Sequence, residues 1–202
     1  MAEGVVAAIG AAWRNPRAAM ARQMREGASE ERALFHLMAA CGLGFVASLP
    51  AAIRTARAVE ADDALAATIG AHLFGFLFVA PLLMYGVAAL VHLGARAFGA
   101  TGRYLHARMA LFWALLAGAP IALGLALAGV AAEVAFGAGV LPWLAPLGYA
   151  GLALWLWIFG SSLAEAEGFA HGGRVVATLA AGFGGLAVLV TVLADSAASA
   201  VG

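Results

Sequence analysis

Charged residues in this chain stand in short clusters, and between the clusters the sequence stays apolar for about the thickness of a bilayer. Five stretches carry no Asp, Glu, Lys or Arg: residues 33–53, 64–95, 109–132, 134–164 and 175–194. A helix crosses about 30 Å of hydrocarbon with roughly 20 residues. Each stretch reaches that length, so the pattern predicts five transmembrane helices. The second and fourth are longer than one span needs and too short for two. The fourth opens on Gly137, Gly139, Pro142 and Pro146, so its first residues read as a loop, with the helix starting near Trp143. No period-two alternation marks a strand.

The punctuation agrees with helices. Ser29 followed by Glu30 and Glu31 reads as an N-cap with acids in the first turn, and Asp62-Asp63 reads the same way before the second span. Arg54 and Arg57 sit where the first span ends, complementing the negative helix terminus. Gly168, Gly172 and Gly173 supply the glycines that end and separate helices. Upstream of the first span, Val5, Ile9 and Trp13 recur at helical spacing, and Met20 and Met24 follow Pro16 with Arg17, Arg22 and Arg25 interleaved. An apolar stripe, an interfacial Trp and flanking Arg predict an amphipathic helix lying on a membrane surface, with packing on cytoplasmic loops of the protein itself or of a partner as the alternative. The expected organisation is therefore a surface segment (1–32), a five-helix membrane domain (33–195) and a short external tail (196–202).

Composition sharpens this picture. Of 202 residues, 64% are hydrophobic and 11% charged, against about 25% charged in a soluble domain. The net charge is zero, which excludes a polybasic nucleic-acid binder. The single cysteine, Cys41, excludes an internal disulfide framework and a thiolate zinc site. Every basic residue is Arg, a bias that reads as the codon usage of a GC-rich genome. The arginines also set orientation. With the N-terminus inside, cytoplasmic segments hold Arg14, Arg17, Arg22, Arg25, Arg32, Arg96, Arg103, Arg108 and Arg174, and external ones only Arg54 and Arg57. That asymmetry predicts a cytoplasmic N-terminus and a periplasmic C-terminus. The first 30 or so residues lack the apolar core of a cleavable signal peptide.

Little in the chain points to catalysis. No phosphate-binding Gly-rich loop, Ser/His/Asp arrangement or HExxH motif occurs, and no cofactor is implied. Every acid and arginine maps to the edge of an apolar stretch, Glu133 coming nearest to the interior, so carriage of a charged solute is disfavoured. Pro81 and Pro120 fall mid-span in consecutive helices and free the carbonyls of Leu77 and Leu116. Paired kinks at one depth, with Tyr85 one turn from Pro81, are the feature that would line a cavity for a neutral or lipidic solute. His36, His92, His106 and His171 map to one membrane edge with Glu165 and Glu167, and His72 to the other; no ligand spacing joins them, and amphipathic placement at the interface accounts for them without a metal. Gly124-xxx-Ala128, Ala177-xxx-Ala181-xxx-Gly185 and Gly184-Gly185 allow close helix contact, either by packing within the chain or at an oligomer or subunit interface, and composition does not separate the two.

The run from Pro81-xxx-Tyr85 through Arg96, Gly99, Gly102 and Arg108 to Trp113 and Pro120, with Trp13-xx-Pro16 upstream and Glu165-Ala-Glu167-Gly168-Phe169 downstream, resembles the bacterial members of the Yip family, the Ypt/Rab-GTPase-interacting proteins. The resemblance spans roughly residues 10–195. It implies a five-helix domain with a cytoplasmic N-terminus. Eukaryotic members are associated with Rab GTPases, vesicle formation and organelle shape, and bacteria lack that Rab system; no catalytic residue is implied. The expectation is a non-enzymatic protein of a bacterial inner membrane that organises or scaffolds it. Its contacts would be membrane lipids and a membrane-protein partner or second copy. Trp13, Arg14, Arg17, Arg22 and Arg25 would meet the membrane surface, and Arg96, Arg103 and Arg108 lipid headgroups or a partner. A carrier using Pro81, Tyr85 and Pro120, and an accessory subunit of a larger complex, are the alternatives.

Overall fold

The computed structural model describes residues 4–59 and 63–201, with side chains over the same ranges outside 186–190 and 193–201. Among the described residues the fold is all-helical, without strands. Helices α1 (Val5–Arg14) and α2 (Pro16–Arg25) precede α3 (Glu30–Arg57) and α4 (Ala64–Phe74). A π-helical stretch, Gly75–Val79, joins α4 to α5 (Ala80–Ala97). Then come α6 (Tyr104–Phe136), a 3-10 segment Ala138–Leu144, α7 (Ala145–Ala166) and α8 (Gly172–Val201). Four helical units are long and apolar enough to cross a membrane: Glu30–Arg57, Ala64–Ala97, Tyr104–Phe136 and Ala138–Ala166. The fifth expected span falls on α8, part of whose side chains lie outside the described set. That helix runs on to Val201, past the expected start of a tail at residue 196.

Several local expectations meet their outcome here. Ser29 does cap α3: its Oγ accepts from the Arg32 N–H at 3.3 Å. Asp63 occupies the cap of α4 without a side-chain capping bond, and Asp62 lies outside the described residues. Of the glycines and prolines before the fourth helix, Gly139 and Pro142 fold into the 3-10 segment rather than a loop, Gly137 precedes that segment and Pro146 stands in the first turn of α7, which starts at Ala145, two residues from the expected Trp143. The upstream segment is two helices and not one. Asn15 breaks them, its Oδ1 accepting from the Ala18 N–H at 3.0 Å, with Pro16 at the first turn of α2, where its missing N–H costs nothing.

Parallel neighbours α3 and α6 form the central pair, with α7 beside α6 and α8 on α7. Ion pairs brace both ends of this pair. Arg108 of α6 holds Glu30 of α3 at the arginine-rich end, and Arg54 of α3 meets Glu133 of α6 at 3.2 Å at the far end. Along α3, Arg32 and Arg54 stand about 33 Å apart at roughly 1.5 Å per residue. Charges thus form two layers separated by the thickness of a hydrocarbon core.

Burial is concentrated towards the arginine-rich end. There Met109 to Ala114 of α6, Ile158 to Ala164 of α7, Leu37 of α3 and Ala12 and Met20 of α1 and α2 form the core. Elsewhere large apolar side chains face outwards, Leu82 at 76%, Leu127 at 69% and Val134 at 83% exposure among them. Such a surface suits lipid and not water.

Candidate functional site

The chain's polar chemistry gathers at the arginine-rich end, around the corner between α7 and α8. Here α7 closes with Gly168 at φ +78°, the Phe169 N–H bonded to the Ala164 carbonyl at 2.8 Å and the Gly168 N–H to that of Glu165. This is a Schellman closure, which calls for a residue without Cβ in the left-handed region. A second one ends α5, with Gly99 at φ +86° and the Ala100 N–H bonded to Ala95. The two corners touch: the Thr101 N–H donates to the Glu167 carbonyl at 3.1 Å. Gly102 comes so close that a Cβ there would lie 2.6 Å from the Ala166 carbonyl oxygen.

Glu165 and Glu167 pull other elements onto this corner. Arg17 of α2 binds Glu165 at 2.7 Å through Nε and donates to the carbonyls of Ala170 and Phe169 through its terminal nitrogens. Glu167 is fully buried and accepts from His92 Nδ1 of α5 at 2.7 Å, while its other oxygen has no partner. The His92 ring lies 5.8 Å from that of Tyr104, over which the Arg108 guanidinium sits at 4.4 Å. Tyr104 in turn donates to the Tyr85 carbonyl at 2.9 Å. One network therefore ties α2, α5, α6 and α7 together.

The expected surface residues separate into two groups. Trp13, Arg17 and Arg108 are engaged within the protein: the Trp13 indole donates to the Ala117 carbonyl at 2.7 Å, and the two arginines hold Glu165 and Glu30. Trp13 reaches the backbone of α6 three residues before Pro120, one residue beyond Leu116, whose carbonyl the proline leaves without its helical partner. Arg22 also has a partner. In contrast, Arg14, Arg25, Arg96 and Arg103 make no ion pair among the described residues, and Arg174 joins them. The acids are nearly all taken at this end: Glu26 by Arg32, Glu30 by Arg108, Glu165 by Arg17 and Glu167 by His92. Arg25 and Arg103, with His106, line an open cavity of about 610 Å³ between α2 and the start of α6.

Tyr85, placed in sequence beside a cavity between the two prolines, lies elsewhere. Its ring packs edge-on against Phe112 at 5.2 Å and under Arg108. The cavity nearest Pro81 and Pro120, about 390 Å³, is lined by apolar side chains such as Phe76, Met84, Leu115 and Trp155, with Cys41, and Tyr85 is not among them. Pro81 follows the π-helical stretch, which absorbs its missing N–H by a wider turn. The histidines also disperse. His36 packs on Trp113 at 5.2 Å, His106 accepts from the Arg103 N–H, and no cluster of three metal-ligating residues forms among the described residues. Compared with known proteins, the chain matches no family model, no curated protein and no solved structure.

Proposed function

We propose that this chain is a non-enzymatic, five-span protein of a bacterial inner membrane, of Yip-like topology, that organises the bilayer through an arginine-rich cytoplasmic face. On this reading Arg14, Arg25, Arg96, Arg103 and Arg174 draw anionic headgroups, or an acidic membrane-protein partner, to that face. The observation that carries it is the sorting of charge: among the described residues internal pairing consumes four of the carboxylates there and gives these five guanidinia no ion pair. Unpaired positive charge beside a membrane is compensated by lipid, at about 1 kcal/mol for each Arg near an anionic surface. Trp13 and Arg17 then serve to seat α1 and α2 on the bundle, so that Arg14 and Arg25 are held in place.

Reconstitution into bilayers of zwitterionic lipid doped with spin-labelled anionic or zwitterionic phospholipid measures the effect. The protein should enrich anionic lipid in its boundary shell several-fold, less so at high salt. The quadruple change of Arg14, Arg25, Arg96 and Arg103 to Gln should remove most of that preference. Equal boundary occupancy by both lipids in the unmodified protein would overturn the proposal.

A further inference from the structure

Between α5 and α8 runs a cleft of about 470 Å³. It exists because α8 rests on α7 and has no comparable packing against α5. Its walls are mostly apolar: Val91 on α5 and Phe98 just past its end, Leu163 on the floor, Val175 and Leu179 on α8, with Thr178 between them, its hydroxyl donating to the Arg174 carbonyl. Its mouth is cationic. His171 and Arg174 stand there, both exposed, and Arg174 has no ion-pair partner among the described residues. Leu179 lies five residues beyond Arg174, so the apolar wall extends about 8 Å along α8 from the charge, at roughly 1.5 Å per residue. The leading N–H groups of α8, which have no acceptor within the helix, begin beside the same mouth.

We infer that this cleft is a binding site for one anionic membrane phospholipid, with the phosphate at Arg174 and His171 and an acyl chain against Val91, Val175 and Leu179. The occupant follows from the order of its surfaces, a cation at the membrane edge and a mostly apolar wall running inwards, where the Thr178 hydroxyl is bonded to the Arg174 carbonyl. A free phosphate would use the mouth and leave the wall bare; an apolar solute would use the wall and ignore the charge. The site rests on the lipid-facing reading of the arginine-rich end and narrows it to one place. The lipid would fill the gap that α8 leaves, joining α5 to α8 where protein contact is missing.

Gly94 makes the test possible. It lines the cleft, and a Cβ built there meets nothing within 4 Å, so a large side chain enters the cleft and not a packed core. The purified full chain in mild detergent is titrated with phosphatidylglycerol, phosphatidylcholine or inorganic phosphate and read by native mass spectrometry. The unmodified protein should hold one phosphatidylglycerol per chain, in preference to phosphatidylcholine. Arg174→Gln should weaken that binding about tenfold, and Gly94→Trp should abolish it. Gly148→Trp, at a second glycine with open space around it, should leave it intact. Binding that survives both Arg174→Gln and Gly94→Trp overturns the site, as does inorganic phosphate competing at equal affinity. If anionic boundary enrichment persists while no single lipid is retained, the cleft assignment fails and the broader reading stands.

Discussion

Replacing Glu167 with Ala should destabilise the detergent-solubilised protein by about 3 kcal/mol, a fall in melting temperature of roughly 6–12 °C for a chain of this length. The residue is fully buried and is the acceptor for His92, which is itself largely shielded. Removing it leaves the imidazole facing an empty space and opens a void under the contact between the α5–α6 and α7–α8 corners. Glu167→Gln, in contrast, keeps the shape and an acceptor for His92 and should change stability by less than about 1 kcal/mol. The difference between the two isolates the hydrogen bond and packing from the charge. Equal losses in Ala and Gln would show that the carboxylate charge itself holds the corners. No loss in either would show that the network does not.

Gly160→Ala should also destabilise, by about 1–3 kcal/mol, and Gly124→Ala should not. At position 160 a Cβ would stand 2.6 Å from Val176 Cγ2 and 2.9 Å from Val176 Cα, so α8 itself would have to retreat from α7. At position 124 nothing lies within 4 Å, and the change exchanges a flexible residue for the best helix former, a gain of up to about 1 kcal/mol. Opposite signs for two chemically identical substitutions, read in the same thermal unfolding assay, test the packing of α8 directly. A stabilised Gly160→Ala protein would mean that α8 is not seated on α7 as described.

These two cases also show what a single sequence conveys. The long helical units were legible because crossing hydrocarbon imposes length and freedom from charge on every residue of a span, a constraint written in consecutive positions. One corner was legible too: Gly168 does end a helix, in the left-handed backbone region that favours glycine, and Gly99 does the same at a corner that the sequence reading did not assign to a helix end. Contacts between distant positions were not. Nothing local to Trp13 indicates that its indole meets Ala117, 104 positions away, nor that Arg17 closes on Glu165, 148 away. Counting arginines located a cationic end but did not separate Arg17 and Arg108, spent on internal acids, from Arg96 and Arg103, which are not. Small-residue spacing did not single out the contacts within the chain either. Gly124 and Gly184-Gly185, picked out by motif, have open space around them within the chain, while close approaches fall at other glycines, Gly102, Gly118, Gly151 and Gly160 among them. In an Ala-rich chain many positions permit close contact, and only the fold selects those that use it.

The proposal's central claim is that the arginine-rich end of this bundle, where Arg14, Arg25, Arg96, Arg103 and Arg174 make no ion pair among the described residues, faces the cytoplasm across five spans. Single cysteines at Arg57, Arg103, His171 and Ser199, each introduced into a Cys41→Ala background, report it through a membrane-impermeant maleimide applied to intact cells. Positions 57 and 199 should label from outside, and positions 103 and 171 only after permeabilisation. Labelling of 57 and 103 from the same side, or of 171 and 199 from the same side, would contradict it.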